Sequence, residues 1–142
     1  MYKIIVFTHG DLAKSLKDTA ELISGANELV ECYGIPLGVD TNAVLSQVSA
    51  SIKDAEKTGL DVLILTDLFF GTPFNLLISI VPDHKFSHVT GVNLPMLLEA
   101  FAFQDRDDKP FAEIVSELVS NGREAIDDCD VFVQRILSKK SG

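Results

Sequence analysis

Short runs of apolar, often β-branched residues recur along this chain and constrain its fold more than any other feature. They are Ile4–Phe7, Leu29–Tyr33, Leu60–Thr66 and Val89–Val92. The first run shows no alternation of polar and apolar residues, which is typical of a parallel strand covered by helices on both faces. We therefore predict four strands in a buried, parallel sheet.

Each predicted strand is followed by a segment with apolar residues at helical spacing. Gly25 is placed to end the first helix, and Asp40 is placed to cap the second. Pro73 and Pro95 suit the first turn of the next two helices, since proline lacks an N–H that would be unpaired there. Alternating strands and helices predict a doubly wound α/β fold. We expect a mainly parallel four-stranded sheet, in the order 2-1-3-4, with helices on both faces.

The chain has 142 residues, of which 46% are apolar, and this is enough for one domain with a full core. No linker, repeat or low-complexity segment divides it, so residues 1–142 are expected to form a single domain. After a last long helix that includes Phe111 and Leu118, the apolar triplet Val131–Val133 predicts a short additional strand. This strand and a tail would occupy about residues 129–142.

The net charge is −9, with a sequence pI near 4.6. Such an acidic chain would be repelled by a phosphate polymer, so nucleic-acid binding is not expected. Cys32 and Cys129 fit no CxxC or Cys/His ligand pattern and are expected to be reduced thiols. Because no apolar run approaches the roughly 20 residues of a membrane span, and the start lacks a signal-peptide core, we expect a cytoplasmic protein.

Polar residues and glycines follow three of the predicted strands at the same edge of the sheet. His9 and Gly10 follow the first strand, Asp67 and Thr72 follow the third, and Asn93 follows the fourth. In open parallel sheets, binding sites form beyond the carboxyl ends of the strands, near the point where the strand order reverses. These three turns therefore form the candidate site.

His9 is the candidate nucleophile, because the helix that follows it offers unpaired N–H groups and positive potential to a phosphate group. Asp67 would accept a hydrogen bond from one imidazole nitrogen and leave the other free to react. Gly10, Gly71 and Thr72 are the candidate phosphate-binding residues, through close backbone approach and a hydroxyl group. A surface or packing role for His9, and a local turn contact for Asp67, are the structural alternatives.

The sequence lacks the residues that other kinds of catalytic or binding site would require. Neither GxxxxGK[ST] nor GxGxxG occurs, so neither a Walker loop nor a dinucleotide site is indicated. A serine hydrolase would need a GxSxG elbow, whereas Ser15 and Ser24 lie inside the first predicted helix. A metal centre would need more ligands at this edge than His9 and Asp67 provide. We therefore expect no metal and no organic cofactor.

Three segments occur in a characteristic order, namely Ile4–Gly10, Asp67–Asn75 and Gly91–Glu99. Together they resemble the IIA component of the mannose/fructose/sorbose family of the phosphoenolpyruvate-dependent sugar phosphotransferase system, over roughly residues 1–128. The resemblance implies a phosphotransferase that acts as a phosphocarrier. His9 would take a phosphoryl group from phosphorylated HPr and pass it to a IIB component, with Asp67 orienting the imidazole. The membrane would be involved only indirectly, through IIC and IID components.

The resemblance also implies a homodimer in which a C-terminal strand, here Val131–Val133, is exchanged between subunits and pairs antiparallel with the sheet. One position departs from the family pattern, because Phe70 stands where a glycine usually precedes Gly71. A phosphocarrier subunit of a dihydroxyacetone kinase is an alternative function. A regulatory module that binds its partner according to phosphorylation state is another. The transported sugar is not encoded in these motifs.

Overall fold

A computed structural model describes residues 1–141 of the chain. Four strands and six helices make up this part of the molecule. In chain order they are β1 (Tyr2–His9), α1 (Leu12–Ser24), β2 (Val30–Ile35), α2 (Thr41–Lys57), β3 (Asp61–Thr66), α3 (Thr72–Ile80), β4 (Ser87–Thr90), α4 (Leu94–Ala102), α5 (Phe111–Glu124) and α6 (Cys129–Ser141).

The four strands form one parallel sheet in the order β2-β1-β3-β4, which confirms the predicted topology. The chain passes from β1 to β2 on one side and then crosses to β3 and β4 on the other. The strand order therefore reverses between β1 and β3. His9 ends β1 and Asp67 directly follows β3, so both residues lie at this reversal.

Helices cover both faces of the sheet and divide the core into two layers. Ile4 and Val6 pack on the face covered by α1, α4 and α5. Ile5 and Phe7 pack on the opposite face, against α2 and α3. All four side chains are fully buried. Burial on both faces explains why the first predicted strand contains no polar alternation.

β1 and both outer strands differ from their predicted limits. β1 spans Tyr2–His9, two residues more at each end than the apolar run Ile4–Phe7. β4 is Ser87–Thr90 rather than Val89–Val92, and β2 extends to Ile35 rather than ending at Tyr33. An outer strand pairs on one side only, so its side chains are only partly buried and polar residues are tolerated. His88 and Ser87 are accordingly part of β4, although their polarity suggests a loop.

The additional strand predicted at Val131–Val133 is wrong, because these residues lie inside α6. A carboxylate oxygen of Asp128 accepts hydrogen bonds from the N–H groups of Asp130 and Val131 and caps the helix. A run of three apolar residues is too short to distinguish a strand from a helix. No residue of α6 is buried. Within residues 1–141, no helix has both the length and the apolar character needed to cross a membrane.

Candidate active site

Asp67 holds His9 through two hydrogen bonds. The backbone N–H of His9 donates to Oδ2 of Asp67 at 3.1 Å, and Nδ1 of the ring lies 2.9 Å from the same oxygen. The Asp67 side chain is 10% exposed, whereas the His9 side chain is 43% exposed. The predicted contact between these two residues is present, and the imidazole remains accessible from solvent.

The same contact selects the reactive nitrogen of the ring. A carboxylate can only accept, so Nδ1 carries the proton and Nε2 presents its lone pair. Oδ1 of Asp67 in turn accepts a hydrogen bond from the N–H of Leu68 at 3.0 Å. Burial raises the pKa of the Asp67 carboxyl, but hydrogen bonds from the ring and backbone of His9 outweigh this effect, and the pKa lies below its ordinary value. Asp67 is therefore ionised at neutral pH.

Gly71 allows the start of α3 to lie directly against the His9 ring. A Cβ atom at this position would lie 2.6 Å from Cε1 and 3.3 Å from Nε2 of His9. The backbone φ of Gly71 is −74°, which any residue can adopt, so the requirement for glycine is one of space. α3 begins at Thr72, and its first N–H groups and positive dipole end are close to the imidazole.

α1 begins three residues after His9 and is anchored to β1. Thr8 is fully buried, and its hydroxyl oxygen accepts a hydrogen bond from the N–H of Ala13 at 2.8 Å. Gly10 adopts a left-handed φ of +52°, and its N–H donates to the carbonyl of Ile35 at 3.0 Å. The turn between β1 and α1 is thus tied to the end of β2.

An open depression of about 390 Å³ lies beside the His9 ring. His9, Gly10 and Thr72 line it, together with Ile35 at the end of β2, residues 36–39 of the loop that follows, and Thr41 at the start of α2. All five predicted site residues lie at this edge. Asp67 and Gly71 are in contact distance of the His9 ring, and Gly10 and Thr72 line the depression together with His9. The space is large enough for a phosphate-sized group beside His9.

Asn93, expected at the same edge, has a different role. Its Oδ1 caps α4 by accepting from the N–H of Met96 at 2.8 Å, and its Nδ2 donates to the carbonyl of Gly122 at 3.1 Å. These bonds link α4 to α5, and Asn93 does not line the depression beside His9. Its turn therefore stabilises the helices around β4.

Two features of this edge of the sheet are not predicted by the sequence pattern. Leu37 is fully exposed in the loop after β2, between Pro36 and Gly38, which together mark a turn. The polar stretch around His88 suggests a surface loop. In the structure, Nε2 of His88 instead contacts the hydroxyl of Thr66 at 2.8 Å. Its ring also packs on Phe74, with centroids 5.1 Å apart. Burial lowers the pKa of His88.

These observations define a class of protein. An imidazole with one nitrogen bound to a carboxylate and the other unpaired has the arrangement of a nucleophile, and a helix start beside it favours an anionic group. Within residues 1–141, no three histidine, cysteine or acidic side chains are grouped to hold a metal ion. The fold and the site fit an α/β group-transfer protein with a histidine nucleophile.

Comparison with known proteins identifies the family. Residues 3–119 match the EIIA-man family, described as the fructose IIA component of the phosphotransferase system, and the chain belongs to this family. The chain is 35% identical over 124 residues to the mannose-specific EIIAB component of Escherichia coli K12, and this match covers 87% of the chain. It spans only 38% of the length of that relative.

Two further relatives match over most of their own length. The sorbose-specific EIIA component of Lacticaseibacillus casei is 32% identical over 120 residues, which cover 82% of this chain and 83% of the relative. The crystal structure of an EIIA component from Streptococcus agalactiae superposes with a TM-score of 0.81 at 30% identity. That match covers 92% of this chain and 99% of the other. Proteins of this family are phosphotransferase components of sugar transport.

Proposed function

We propose that this protein is a cytoplasmic phosphocarrier, in which His9 accepts a phosphoryl group from phosphorylated HPr and transfers it to a IIB component. The observation that supports this most directly is the contact between Nδ1 of His9 and Asp67 at 2.9 Å, which leaves Nε2 free. Membership of a family of phosphotransferase-system IIA components supports the same conclusion. The family description also favours a role in sugar transport over a dihydroxyacetone kinase.

The transfer exchanges one phosphorus–nitrogen bond for another. The lone pair on Nε2 of His9 attacks the phosphorus atom while the bond to the donor histidine breaks, and the electron pair of that bond stays on the donor ring. The phosphorylated His9 ring keeps its proton on Nδ1 and gains positive charge, which the ionised Asp67 stabilises. Nothing in this step requires a metal ion, since positioning and charge stabilisation are the main tasks in phosphoryl transfer.

The phosphoryl oxygens would be bound by groups at the start of two helices. We assign this role to the backbone at Gly10 and Gly71 and to the hydroxyl and N–H of Thr72. Gly10 and Thr72 line the depression beside His9, and Gly71 allows α3 to come close to Nε2. Helix N-termini bind anions through unpaired N–H groups and through the helix dipole.

A phosphorylation assay tests this function. The wild-type chain is incubated with phosphoenolpyruvate, enzyme I and HPr, and the product is read by intact mass. We expect one acid-labile phosphoryl group on the wild type, none on His9→Ala, and slower labelling of Asp67→Asn. His84→Ala is the matched control, because His84 lies in the loop before β4, next to Glu56, and is expected to leave labelling unchanged. Labelling that persists in His9→Ala would disprove the proposal.

We also propose that the protein is a homodimer in which the C-terminal segment of each copy covers β4 of the other. β4 is an outer strand with one unpaired edge, and such edges normally need a cover. A depression of about 230 Å³ lies along it, partly lined by Val89, Val119 and Ile126. The C-terminal segment contains five exposed apolar side chains, Val131, Phe132, Val133, Ile136 and Leu137.

A further inference from the structure

Phe70 has an unfavourable backbone conformation next to the candidate active site. Its φ is +58°, and it is the only residue other than glycine with a positive φ in the part of the chain that the structure describes. A bulky L-residue rarely occupies the left-handed region, because its Cβ atom crowds the backbone. Residues in such strained conformations are concentrated at functional sites.

Burial of the Phe70 ring does not offset this strain. The side chain is 74% exposed, and neighbouring Phe69 is 65% exposed. Together with Phe74 they form an aromatic cluster, whose ring centroids are 5.0 to 5.4 Å apart. Nδ2 of Asn75 donates to the carbonyl of Phe70 at 3.2 Å and holds the turn in place. The fold thus presents a phenyl ring to solvent in one defined position.

Phe70 belongs to the turn that brings the start of α3 against the His9 ring. Phe70 directly precedes Gly71, which leaves no room for a Cβ atom beside the His9 ring. In-line transfer requires the donor nitrogen and Nε2 to lie on opposite sides of one phosphorus atom, so a protein donor must cover the surface around Nε2. The turn at Phe70 is therefore within the area that such a donor contacts.

The charges at the helix starts beside His9 indicate the chemistry of that donor. Asp11 and Asp40 are exposed, and they lie at the starts of α1 and α2, beside the loops that surround His9. Lys14, which is also exposed on α1, is paired with Asp18 at 2.6 Å. A surface that exposes both apolar rings and carboxylates is complementary to an apolar face with basic residues at its rim.

We propose that Phe70 is a specificity-determining contact for the phosphoryl donor, a protein that presents its phosphohistidine within an apolar face with a basic rim. This inference rests on the proposed function. The ring of Phe70 packs on the donor during transfer, and the backbone strain at Phe70 is retained because it positions the ring for that contact.

Two variants at this position separate docking from chemistry. Phe70→Ala removes the ring, and Phe70→Gly removes the ring and the steric strain together. With phosphorylated HPr as donor, we expect kcat/KM for labelling of His9 to fall about 10-fold or more in both variants, mainly through KM. With phosphoramidate, a small donor that releases ammonia when its phosphorus–nitrogen bond breaks, both variants are expected to react at the wild-type rate.

A control variant and a stability measurement complete the experiment. Leu22→Ala removes an apolar side chain that is 86% exposed near the end of α1 farthest from His9, and is expected to leave both reactions unchanged. Phe70→Gly is expected to unfold about 2–4 °C above Phe70→Ala, because only glycine relieves the backbone strain. Equal unfolding temperatures would contradict the strain argument.

The outcomes distinguish this inference from the proposed function. If HPr labels the wild type and both Phe70 variants at equal rates, Phe70 is not a donor contact and this inference alone is overturned. Slower transfer of the phosphoryl group from the variants to a IIB protein would then assign Phe70 to the acceptor contact. If phosphoramidate labelling falls as much as HPr labelling, Phe70 acts on His9 itself and the docking role is again overturned. If HPr does not label the wild type, both proposals are overturned.

Discussion

At the scale of single residues, the site depends on how close α3 can approach the His9 ring. Gly71 permits that approach, since a Cβ atom would lie 2.6 Å from Cε1 of His9. The ring is fixed on its other side by Asp67 at 2.9 Å, so it cannot turn away without losing that hydrogen bond. A methyl group at position 71 therefore forces either the ring or the start of α3 to move.

We predict that Gly71→Ala slows phosphorylation of His9 by about 10- to 100-fold, because displacement of a reacting group by about 1 Å has effects of this size. Single-turnover labelling with phosphoramidate measures the rate without a protein partner. Gly122→Ala is the matched control: its Cβ would crowd Met96, at 2.7 Å from Cε and 3.3 Å from Cβ, and not His9, so labelling is expected to stay at the wild-type rate. Wild-type labelling of Gly71→Ala would show that the contact with His9 has no role in positioning.

The site residues that the sequence predicts correctly are those whose positions follow from where the strands end. His9 ends β1 and Asp67 directly follows the neighbouring parallel strand β3, so the order of strands alone brings them together. Gly71 was recognised as part of a phosphate site, but the clash that excludes a side chain there depends on ring placement. The left-handed backbone of Phe70 is not indicated by phenylalanine itself, and the glycine that the family usually carries at this position is the signal for it.

At the scale of elements, the junction between β1 and α1 positions His9. Thr8 is the last fully buried residue of β1, and its hydroxyl accepts from the N–H of Ala13 at 2.8 Å. Asp11, the residue before α1, makes no side-chain capping bond. The helix start is thus held by a strand residue instead of by its own cap, which couples the direction of α1 to β1.

We predict that Thr8→Val lowers the free energy of unfolding by about 1–2 kcal/mol, since it leaves the N–H of Ala13 without an acceptor at a buried helix start. Urea denaturation followed by circular dichroism measures this change. Thr19→Val is the control, because Thr19 is exposed in the middle of α1 and its change is expected to stay within about 0.5 kcal/mol. If the two variants are equally stable, the hydroxyl of Thr8 does not cap α1.

The strands that the sequence predicts most clearly are those covered by helices on both faces of the sheet. β1 and β3 are covered on both faces, and their apolar runs indicate strands without ambiguity. β4 is an outer strand whose first two residues are polar, so its start was predicted two residues late. The sequence predicts a strand within α6, which is wrong. The apolar residues of α6 are not buried in a core, so their spacing follows neither the strand nor the helix periodicity clearly.

At the scale of the whole molecule, two apolar surfaces of the described residues are exposed, and each could cover the other in a pair of chains. β4 has an unpaired edge beside Val89, Val119 and Ile126, and α6 exposes Phe132 at 50% and Leu137 at 52%. A helix with no buried residue gains little stability from its own chain, because most helical stability in proteins comes from packing. Contact with a second copy would bury both surfaces.

We predict that the full chain is a dimer in solution and that deletion of residues 129–142 makes it a monomer. Loss of the segment removes the apolar side chains of α6 and leaves both β4 edges uncovered, so the association energy is lost while the core of each copy remains. Light scattering coupled to size-exclusion chromatography measures the mass, and phosphoramidate labelling of His9 confirms that the truncated chain is folded. Leu22→Ala, which removes an exposed side chain elsewhere, is expected to stay dimeric. A full chain that is monomeric, or a truncated chain that remains dimeric, would contradict the role of the C-terminal segment.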